Sequence, residues 1–341
     1  MNKQILVTGG TGYIGSHTCV ELMNEGFEVV IADNLSNSDI SVLDGIEKIT
    51  GKRPFFENAD LSDSAATSQL FDKYPEISAI IHFAAYKAVG ESVNMPLRYY
   101  FNNLNSLINL LNNMNQRNIT NIVFSSSCTV YGEPDSLPVT ERAPIKPASS
   151  PYGNTKQICE EILRDTGVVN KDLQIIALRY FNPIGAHPSA HIGELPLGIP
   201  NNLVPFITQT AIGLREELNV FGNNYNTPDG SAIRDYINVV DLSKAHVIAI
   251  DRLLNKKNKK RFEVFNLGTG RGFSVLEVIK TFEKATGVKL KYKIVPRREG
   301  DVEKVFADTR YANAELGWKA EKNLDETLLS AWNWEKNLRN K

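Results

Sequence analysis

Tyr152 and Lys156 place a proton-transfer group and a cation four residues apart. Ser150 and Pro151 precede them and are typical of a helix N-cap and first turn, so both side chains should share one helix face. A phenol with a pKa of about 10 is a poor base at neutral pH. We expect the Lys156 ammonium, aided by a positively charged nicotinamide, to lower that pKa. The pair therefore predicts a tyrosine base that takes a proton from a hydroxyl group while hydride leaves to a cofactor.

The position of this pair is more informative than its spacing. Of the 12 tyrosines only Tyr152 has a lysine four residues later, but chance alone can produce one such pair. The pair follows a predicted strand that ends in Ser127, at the edge where open α/β sheets bind ligands. Ser127 could hydrogen-bond the reacting hydroxyl and relay its proton. A lone serine there is more often simple turn chemistry, so this interpretation depends on the neighbouring motifs.

Three glycines, Gly9, Gly12 and Gly15, lie between the first predicted strand and the first predicted helix. One would make the sharp turn, one would let backbone approach a pyrophosphate, and one would allow close helix–sheet packing. Asp33 ends the second predicted strand, where a carboxylate accepts from ribose hydroxyls and repels a 2′-phosphate. The two features together favour an NAD site over a strand–turn–helix without ligand, and NAD over NADP.

Metal and nucleophile chemistry find little support in the residue pattern. Among the histidines only His187 and His191 show a ligand-like gap, and they lie in a segment rich in glycine and proline. We therefore expect no metal site. No Gly-x-Ser-x-Gly elbow of a hydrolase occurs. Cys19, Cys128 and Cys159 are odd in number and form no Cys-x-x-Cys motif, which argues against a disulfide framework or zinc ribbon.

The charge pattern gives no reason to expect a nucleic-acid or membrane partner. A formal net charge of −1 provides no overall attraction to either. The basic run at 256–261 has no interleaved aromatics, so we interpret it as a solvated helix end. No stretch approaches the ~20 apolar residues of a membrane helix. The first residues run directly into a predicted strand, without a signal peptide, and we expect a cytoplasmic protein.

The elements that must position these residues alternate between strand and helix. Short apolar runs predict buried parallel strands, with helices such as Tyr13–Glu25 and Met95–Gln116 between them. This alternation predicts an α/β fold with a doubly wound parallel-sheet Rossmann domain. The predicted strands are Gln4–Thr8, Glu28–Ala32, Ala79–Phe83, Asn121–Ser125 and Leu173–Arg179.

The sequence pattern changes after Asn182. Glycines and prolines from Pro183 to Pro205 predict an irregular segment that faces a ligand. We predict an NAD-binding domain over 1–182, to which part of 234–268 returns, and a smaller α/β substrate-binding domain over 183–341. The later predicted elements are a helix from about Val239, a strand at Val264–Leu267, and helices near Ser274–Thr286 and Leu324–Leu338.

A series of motifs along nearly the whole chain carries a family resemblance. TGGTGYIGSHT, VGESV, SSSCTVYG, SPYGNTK, RYFNPIGAHPS, GIPNNL, RDYINVVD, NLGTG and RREGD resemble, in this order, the UDP-glucose 4-epimerase family of extended short-chain dehydrogenase/reductases. The resemblance implies a UDP-sugar substrate and a tightly held NAD⁺ that is reduced and reoxidised in each cycle. It implies that Tyr152 removes the 4-hydroxyl proton with help from Ser127, and that Lys156 holds the nicotinamide ribose. Hydride would return to the other face of a 4-keto sugar that has swung about its phosphate linkage.

The resemblance also carries binding roles onto matching positions. Arg234 and Arg298 would clamp a diphosphate, although without the motifs a surface ion pair would be the better interpretation of either. The implied cofactor-binding residues are Gly9, Gly12, Tyr13, Ile14, Gly15, Asp33, Asn34, Asn37, Asp60, Leu61, Phe83, Lys87, Asn102, Lys156 and Tyr180. The implied substrate-binding residues are Ser127, Tyr152, Asn182, Asn202, Arg234, Tyr236, Arg298, Asp301 and Val305.

Two positions depart from related sequences in ways that bear on the reaction and the substrate. The family's sugar dehydratases carry an acidic pair after the catalytic serine or threonine, whereas Cys128-Thr129 follows Ser127. This disfavours a dehydratase. Many bacterial epimerases have a tyrosine four residues beyond the aspartate of RREGD, where this chain has Val305. We hypothesise that the smaller side chain lets N-acetylated UDP-hexosamines (UDP-GlcNAc and UDP-GalNAc) react as well as UDP-glucose and UDP-galactose.

Alternatives remain within the same fold. Another extended family member acting on a nucleotide sugar, such as a reductase or a decarboxylase, would release or consume NAD(P)H or carbon dioxide. A non-catalytic NAD-binding module would need none of Ser127, Tyr152 and Lys156. The resemblance further implies a homodimer formed through two long helices, Met95–Gln116 and the helix that carries Tyr152.

Overall fold

A seven-stranded, all-parallel sheet forms the centre of the computed structural model, which describes residues 3–298 and 302–339. The strands are β1 (Gln4–Thr8), β2 (Glu28–Asp33), β3 (Phe55–Asn58), β4 (Ile77–His82), β5 (Asn121–Ser127), β6 (Gln174–Tyr180), β7 (Asn182–Ile184), β8 (Leu218–Phe221), β9 (Ile233–Arg234), β10 (Tyr236–Asn238), β11 (Phe262–Leu267), β12 (Phe273–Ser274), β13 (Tyr292–Val295) and β14 (Lys304–Val305). The order in the main sheet is β3-β2-β1-β4-β5-β6-β11. This order, with β1 beside β4, is that of a doubly wound dinucleotide-binding sheet.

Ten α-helices lie within the described ranges, and none of them combines the length and apolar character needed to cross a membrane. Short 3₁₀ and π segments occur at Cys128–Tyr131 and Ala312–Leu316. The helices are α1 (Tyr13–Asn24), α2 (Val42–Thr50), α3 (Ser64–Lys73), α4 (Val89–Asn94), α5 (Pro96–Gln116), α6 (Pro151–Val169), α7 (Leu203–Ala211), α8 (Val239–Leu254), α9 (Val275–Thr286) and α10 (Leu324–Arg339).

Both faces of the main sheet are covered by helices, because alternate strand residues point to opposite sides. Ile5 and Val7 of β1 join an apolar cluster with residues of α1, α2 and α8. Leu6, between them, joins a second cluster with residues of α3, α5 and α6. The continuous apolar runs of the sequence therefore correspond to strands buried on two sides. The prediction of an α/β doubly wound fold is confirmed.

A further apolar cluster lies outside the main sheet, among α7, α9 and α10. Ile207, Phe282, Leu328 and Trp332 are buried in it, and the Phe282 and Trp332 rings meet edge to face at 5.9 Å. Around this cluster the chain forms three small sheets: β7 with β10, β9 with β12 and β14, and β8 with β13. Between 239 and 267 the chain packs against the main sheet, since α8 covers one face and β11 pairs with β6.

The prediction that Pro183–Pro205 is irregular throughout is wrong at both ends of the segment. Pro183 lies inside the short strand β7, and α7 begins at Leu203 with Asn202 as its N-cap. Pro205 does not stop this helix because it lies in the first turn, where backbone N–H groups have no intrahelical partner. The residues between β7 and α7 are turns, bends and isolated bridges, as predicted.

Candidate active site

The turn from β1 to α1 needs glycine at particular positions. Gly9 has a φ of +69°, a conformation that favours glycine. A Cβ atom on Gly15 would lie 2.3 Å from the backbone oxygen of Gly9, so a side chain there would displace the turn. Gly12 is the N-cap of α1 and provides no side-chain cap. The first-turn N–H groups and the positive end of the helix dipole are thus presented to a ligand, an arrangement that suits a pyrophosphate.

Asp33 ends β2 and ties this turn to the loop after β2. Its carboxylate accepts the backbone N–H of Thr11 at 3.2 Å and the hydroxyl of Ser38 at 3.1 Å. Asn34 and Asn37 lie in the loop itself, and Asn37 is exposed. The structure thus places Asp33 at the carboxyl end of the second strand, beside the glycine turn. The contact with ribose hydroxyls stays a prediction.

Most of the other predicted cofactor-binding residues follow the carboxyl ends of neighbouring strands. Because these strands are parallel, their ends meet at one edge of the sheet, the usual ligand edge of such folds. Tyr13 and Ile14 form the first turn of α1, and Asn102 lies on α5, where its amide donates to the Asn103 side chain at 2.9 Å. The residues at strand ends are Asp60 and Leu61 after β3, Phe83 and Lys87 after β4, and Tyr180 as the last residue of β6.

Ser127, Tyr152 and Lys156 come from two elements that meet at the same edge. Ser127 ends β5, and Tyr152 and Lys156 lie in the first two turns of α6, whose N-cap Ser150 accepts the N–H of Gly153 at 3.2 Å. The Ser127 hydroxyl is close enough to the Tyr152 phenol to lower the pKa of that phenol. The Lys156 ammonium lies 6.0 Å from the centre of the Tyr152 ring. The structure therefore brings the three predicted catalytic residues together.

The lowering of the Tyr152 pKa by Lys156 together with a positively charged nicotinamide stays a prediction, because the protein's own groups do not produce it. Burial raises the pKa of Tyr152 to about 12, and the nearby Ser127 hydroxyl opposes this only in part. The Lys156 ammonium instead donates to the backbone carbonyl of Ser125 at 2.7 Å. Spacing placed the two side chains on one helix face, but it did not reveal how strongly burial disfavours the phenolate. A phenolate at Tyr152 therefore requires positive charge beyond that of Lys156.

Lys156 is itself a buried cation, with 4% of its surface exposed. Burial lowers its pKa to about 8, while Cys159 and Glu160 oppose that shift. The ammonium also lies 4.9 Å above the Phe124 ring. Keeping an ammonium group in the interior is unfavourable, and a strongly perturbed lysine at a ligand edge is typical of a functional group rather than a stabilising one.

Arg234 and Val305 are neighbours across the ladder of β9 and β14. The Arg234 guanidinium donates to the Ile233 carbonyl at 2.8 Å. The charge of Arg234 also lowers the pKa of Cys128, the residue after Ser127. Burial has the larger and opposite effect, so the pKa of Cys128 is raised to about 12. Val305 packs in a small apolar cluster that includes Cys128. Arg234 and Val305 thus lie on the same side of the molecule as the end of β5.

Asp235 is a buried residue of this region that sequence reasoning missed. Its carboxylate accepts the N–H of Thr269 at 2.8 Å and the N–H groups of Gly270 and Ala307 at 3.1 Å. These bonds join the NLGTG motif to β9 and to the residues after β14, and so fix the backbone on which Arg234 lies. Its place between Arg234 and Tyr236 in RDYINVVD gave no sign of these backbone contacts.

Glu194 is a second carboxylate that the sequence analysis did not single out. Its side chain accepts the Asn202 amide at 2.6 Å and lies 3.8 Å from the Lys87 ammonium. Burial raises the pKa of Tyr13, and the charge of Glu194 raises it further by a smaller amount. The Tyr13 hydroxyl donates to the Gly185 carbonyl at 2.6 Å. Glu194 therefore connects a predicted substrate residue with predicted cofactor residues.

The remaining predicted substrate residues are less closely connected to this edge. Asn182 and Tyr236 face each other across β7 and β10, and Tyr236 is buried. Arg298 is exposed, with its guanidinium 4.0 Å above the Phe221 ring. Asp301 lies outside the described residues.

Comparisons with known proteins agree with this arrangement. The model of the GDP-mannose 4,6 dehydratase family matches residues 6–330. The chain is 51% identical over 331 residues to a UDP-glucose 4-epimerase of Bacillus subtilis (strain 168), covering 97% of this chain and 96% of that relative. Two crystal structures, each covering 99% of both chains, align with a TM-score of 0.95. One is UDP-glucose-4-epimerase from Stenotrophomonas maltophila with bound NAD and formylated UDP-arabinopyranose, 48% identical. The other is UDP-glucose 4-epimerase from Bifidobacterium longum in complex with NAD⁺ and UDP, 47% identical.

Proposed function

This chain belongs to the UDP-glucose 4-epimerase family, within the broader family matched by the dehydratase model, and on that premise we propose how its own residues act. Its reaction is C4 epimerisation of UDP-hexoses, and its cofactor is NAD. The observation that carries the proposed mechanism is the meeting of Ser127, Tyr152 and Lys156 at the edge that also holds the glycine turn.

The residues at this edge fit NAD. A side chain on Gly15 would fill the space against the Gly9 carbonyl, and Gly12 leaves the N-terminus of α1 open for the pyrophosphate. Asp33 would accept from the adenosine ribose hydroxyls, and Lys156 would hold the nicotinamide ribose. When bound, the oxidised nicotinamide supplies a hydride acceptor and a positive charge beside Tyr152.

Tyr152 would accept the 4-hydroxyl proton of the sugar, with the Ser127 hydroxyl as the relay. The Ser127 hydroxyl already lowers the pKa of Tyr152 against burial, so the relay and the base are coupled. After oxidation at C4 the sugar would turn about its phosphate linkage, while Arg234 and Arg298 hold the diphosphate. As C4 regains its hydride on the other face, Tyr152 would return the proton to the oxygen at C4.

We propose epimerisation rather than dehydration because no carboxylic acid follows Ser127. Burial raises the pKa of the Cys128 thiol to about 12, so this group is neutral and a poor acid at pH 7. Thr129 follows it and carries only a hydroxyl. Elimination of water needs an acid to protonate the leaving hydroxyl, and this turn supplies none.

Incubation of the purified protein with UDP-galactose and no added coenzyme tests the proposed reaction. We expect UDP-glucose to form with no net oxidation or reduction, resolved by chromatography of the products. A requirement for stoichiometric NADH or NADPH, or release of carbon dioxide, would instead support a reductase or a decarboxylase.

We propose that residues 1–182, with α8 and β11, bind NAD, and that most of 183–341 binds the UDP-sugar. The support is that α8 completes one apolar layer on the main sheet and β11 extends that sheet. The elements around α7, α9 and α10 have an apolar cluster of their own. Arg234, on β9, would reach the diphosphate from this second part of the chain.

We also propose that the sugar pocket accepts an N-acetyl group at C2, because Val305 is small and lies beside Arg234. Replacement of Val305 by tyrosine should reduce kcat/KM for UDP-N-acetylglucosamine by ~10–200-fold, the range expected when a group no longer fits a pocket. The kcat/KM for UDP-galactose should change by less than about threefold. Val305→Ala is the matched control and should retain both activities. Equal losses with both substrates in Val305→Tyr would contradict the proposal.

We propose a homodimer in which α5 contacts a second copy of the chain. Leu97, Phe101 and Ile108 are exposed by 81%, 62% and 39%, and with Leu104 they follow helical spacing along one face. An exposed apolar stripe of this kind marks an interaction surface. Phe101→Glu should therefore halve the mass measured by light scattering. Leu214→Glu is the control, because Leu214 is an exposed apolar residue outside α5, and it should leave the mass unchanged. A Phe101→Glu protein with the mass of two chains would refute this interface.

A further inference from the structure

Glu160 and Arg179 form a buried ion pair beneath the proposed catalytic residues. Each side chain is 4% exposed. Arg179 Nε donates to Glu160 Oε1 at 2.8 Å, and a second guanidinium nitrogen contacts Oε2, so the contact is bidentate. The Ser126 hydroxyl donates to the same Oε1 atom at 2.6 Å. A single carboxylate thus joins α6, β5 and β6.

Each member of this ion-pair network, Ser126, Glu160 and Arg179, is a close neighbour in sequence of a residue with a proposed role. Ser126 directly precedes Ser127, and Arg179 directly precedes Tyr180. Glu160 lies one helical turn beyond Lys156 and two beyond Tyr152. Ser126 and Arg179 are also paired across the β5–β6 ladder. A shift of the carboxylate would therefore move all three elements that carry the site.

The network continues toward the turn after Ser127. The Arg179 guanidinium lies 4.8 Å above the Tyr131 ring, at the end of the 3₁₀ turn Cys128–Tyr131. The Tyr131 hydroxyl donates to the Asn266 side chain at 2.7 Å, and the backbone N–H of Asn266 donates to Glu141 at 2.8 Å. The ion pair thus supports this turn from below and links it to β11.

Stability alone is a weak reason for such a pair. Desolvation of two charges offsets much of their attraction, and apolar residues of similar volume often replace a buried ion pair without loss of stability. A bidentate contact does, however, fix distance and direction between the elements it joins. We propose that Glu160 and Arg179 are positioning residues that set the placement of Ser127 and Lys156 relative to Tyr152. The inference rests on the proposed function, because it concerns the same reaction.

The test replaces both charges together, as Glu160→Gln with Arg179→Met, so that no unpaired charge remains buried. For UDP-galactose we expect kcat to fall by at least about tenfold with KM within about threefold, since misplacement by ~1 Å can cost ~100-fold in rate. The coenzyme content of the purified protein should be unchanged. Should this variant fail to fold, Ser126→Ala decides, with an expected fall in kcat of about threefold or more at unchanged KM.

A second buried ion pair provides a matched control. Arg252 and Glu263 make the same bidentate contact, at 2.7 and 3.0 Å. They join the end of α8 to the start of β11, on the side of the sheet away from the carboxyl ends of the strands. Arg252→Met with Glu263→Gln should leave kcat unchanged. An active wild type with undiminished kcat in the folded Glu160/Arg179 variant would overturn this inference alone. An inactive wild type would overturn it together with the proposed function.

Discussion

Replacement of Tyr152 by phenylalanine should reduce kcat for UDP-galactose by ~10²–10⁴-fold, the usual contribution of a positioned acid–base group. The change removes one oxygen atom and leaves the ring in place, so KM and the amount of bound coenzyme should remain near the wild-type values. Loss of kcat at constant KM would show that the phenol acts in the transition state rather than in binding. The measurement is steady-state kinetics together with release of coenzyme from denatured protein.

The matched control for this variant is Tyr74→Phe. The Tyr74 hydroxyl also meets a polar side chain, that of Glu57 at 2.7 Å, but it lies at the end of α3, just before β4 begins. We expect wild-type kcat from this control. Full activity in Tyr152→Phe, with coenzyme bound, would eliminate Tyr152 as the base.

Replacement of Lys156 by methionine should also remove most activity, at least ~100-fold in kcat, because a phenolate at Tyr152 would lose the support of an ammonium 6.0 Å from its ring centre. Stability should respond in the opposite sense. Burial lowers the pKa of Lys156 from 10.5 to about 8. This shift corresponds to a cost of roughly 3 kcal/mol in the free energy of unfolding for keeping the charged ammonium buried. Loss of the hydrogen bond to the Ser125 carbonyl offsets about 1–3 kcal/mol of that gain. The free energy of unfolding at pH 7 should therefore not decrease.

The pH dependence gives this prediction its sign. The cost of the buried ammonium is fully present below pH 8, where Lys156 is charged in both the folded and the unfolded protein. It fades as the pH rises toward 10.5, because the folded protein then holds the neutral amine. The stability of Lys156→Met relative to wild type should thus be greater at pH 7 than at pH 10, as measured by urea unfolding. A variant that gains stability relative to wild type as the pH rises would contradict this interpretation of Lys156.

Much of the main sheet could be predicted from sequence because its strands are buried on both faces. Gln4–Thr8 was predicted with the observed bounds, and Ser150 was correctly identified as the N-cap of α6. The stretch that contains α2, β3 and α3 was not predicted. The reason is visible in β3, which is short, lies at the sheet edge and has no fully buried residue, so it lacks an apolar signature.

The parts of the site that escaped prediction depend on contacts between distant residues. Asp235 accepts a hydrogen bond from Thr269, and Glu194 pairs with Lys87; both partners lie far away along the chain, which spacing cannot show. The rise that burial causes in the pKa of Tyr152 could not be predicted, because burial depends on the packing of several elements. Glu160 lies on α6 and its partner Arg179 lies 19 residues away on β6, so no local pattern connects the two.

The most direct test of the account follows the hydrogen at C4. UDP-galactose that carries deuterium at C4 is converted in ordinary water, without added coenzyme, and the UDP-glucose product is examined by NMR and mass spectrometry. Because we expect that hydrogen to leave and return as hydride within one closed site, the product should keep deuterium at C4. A product with solvent hydrogen at C4 would contradict the account.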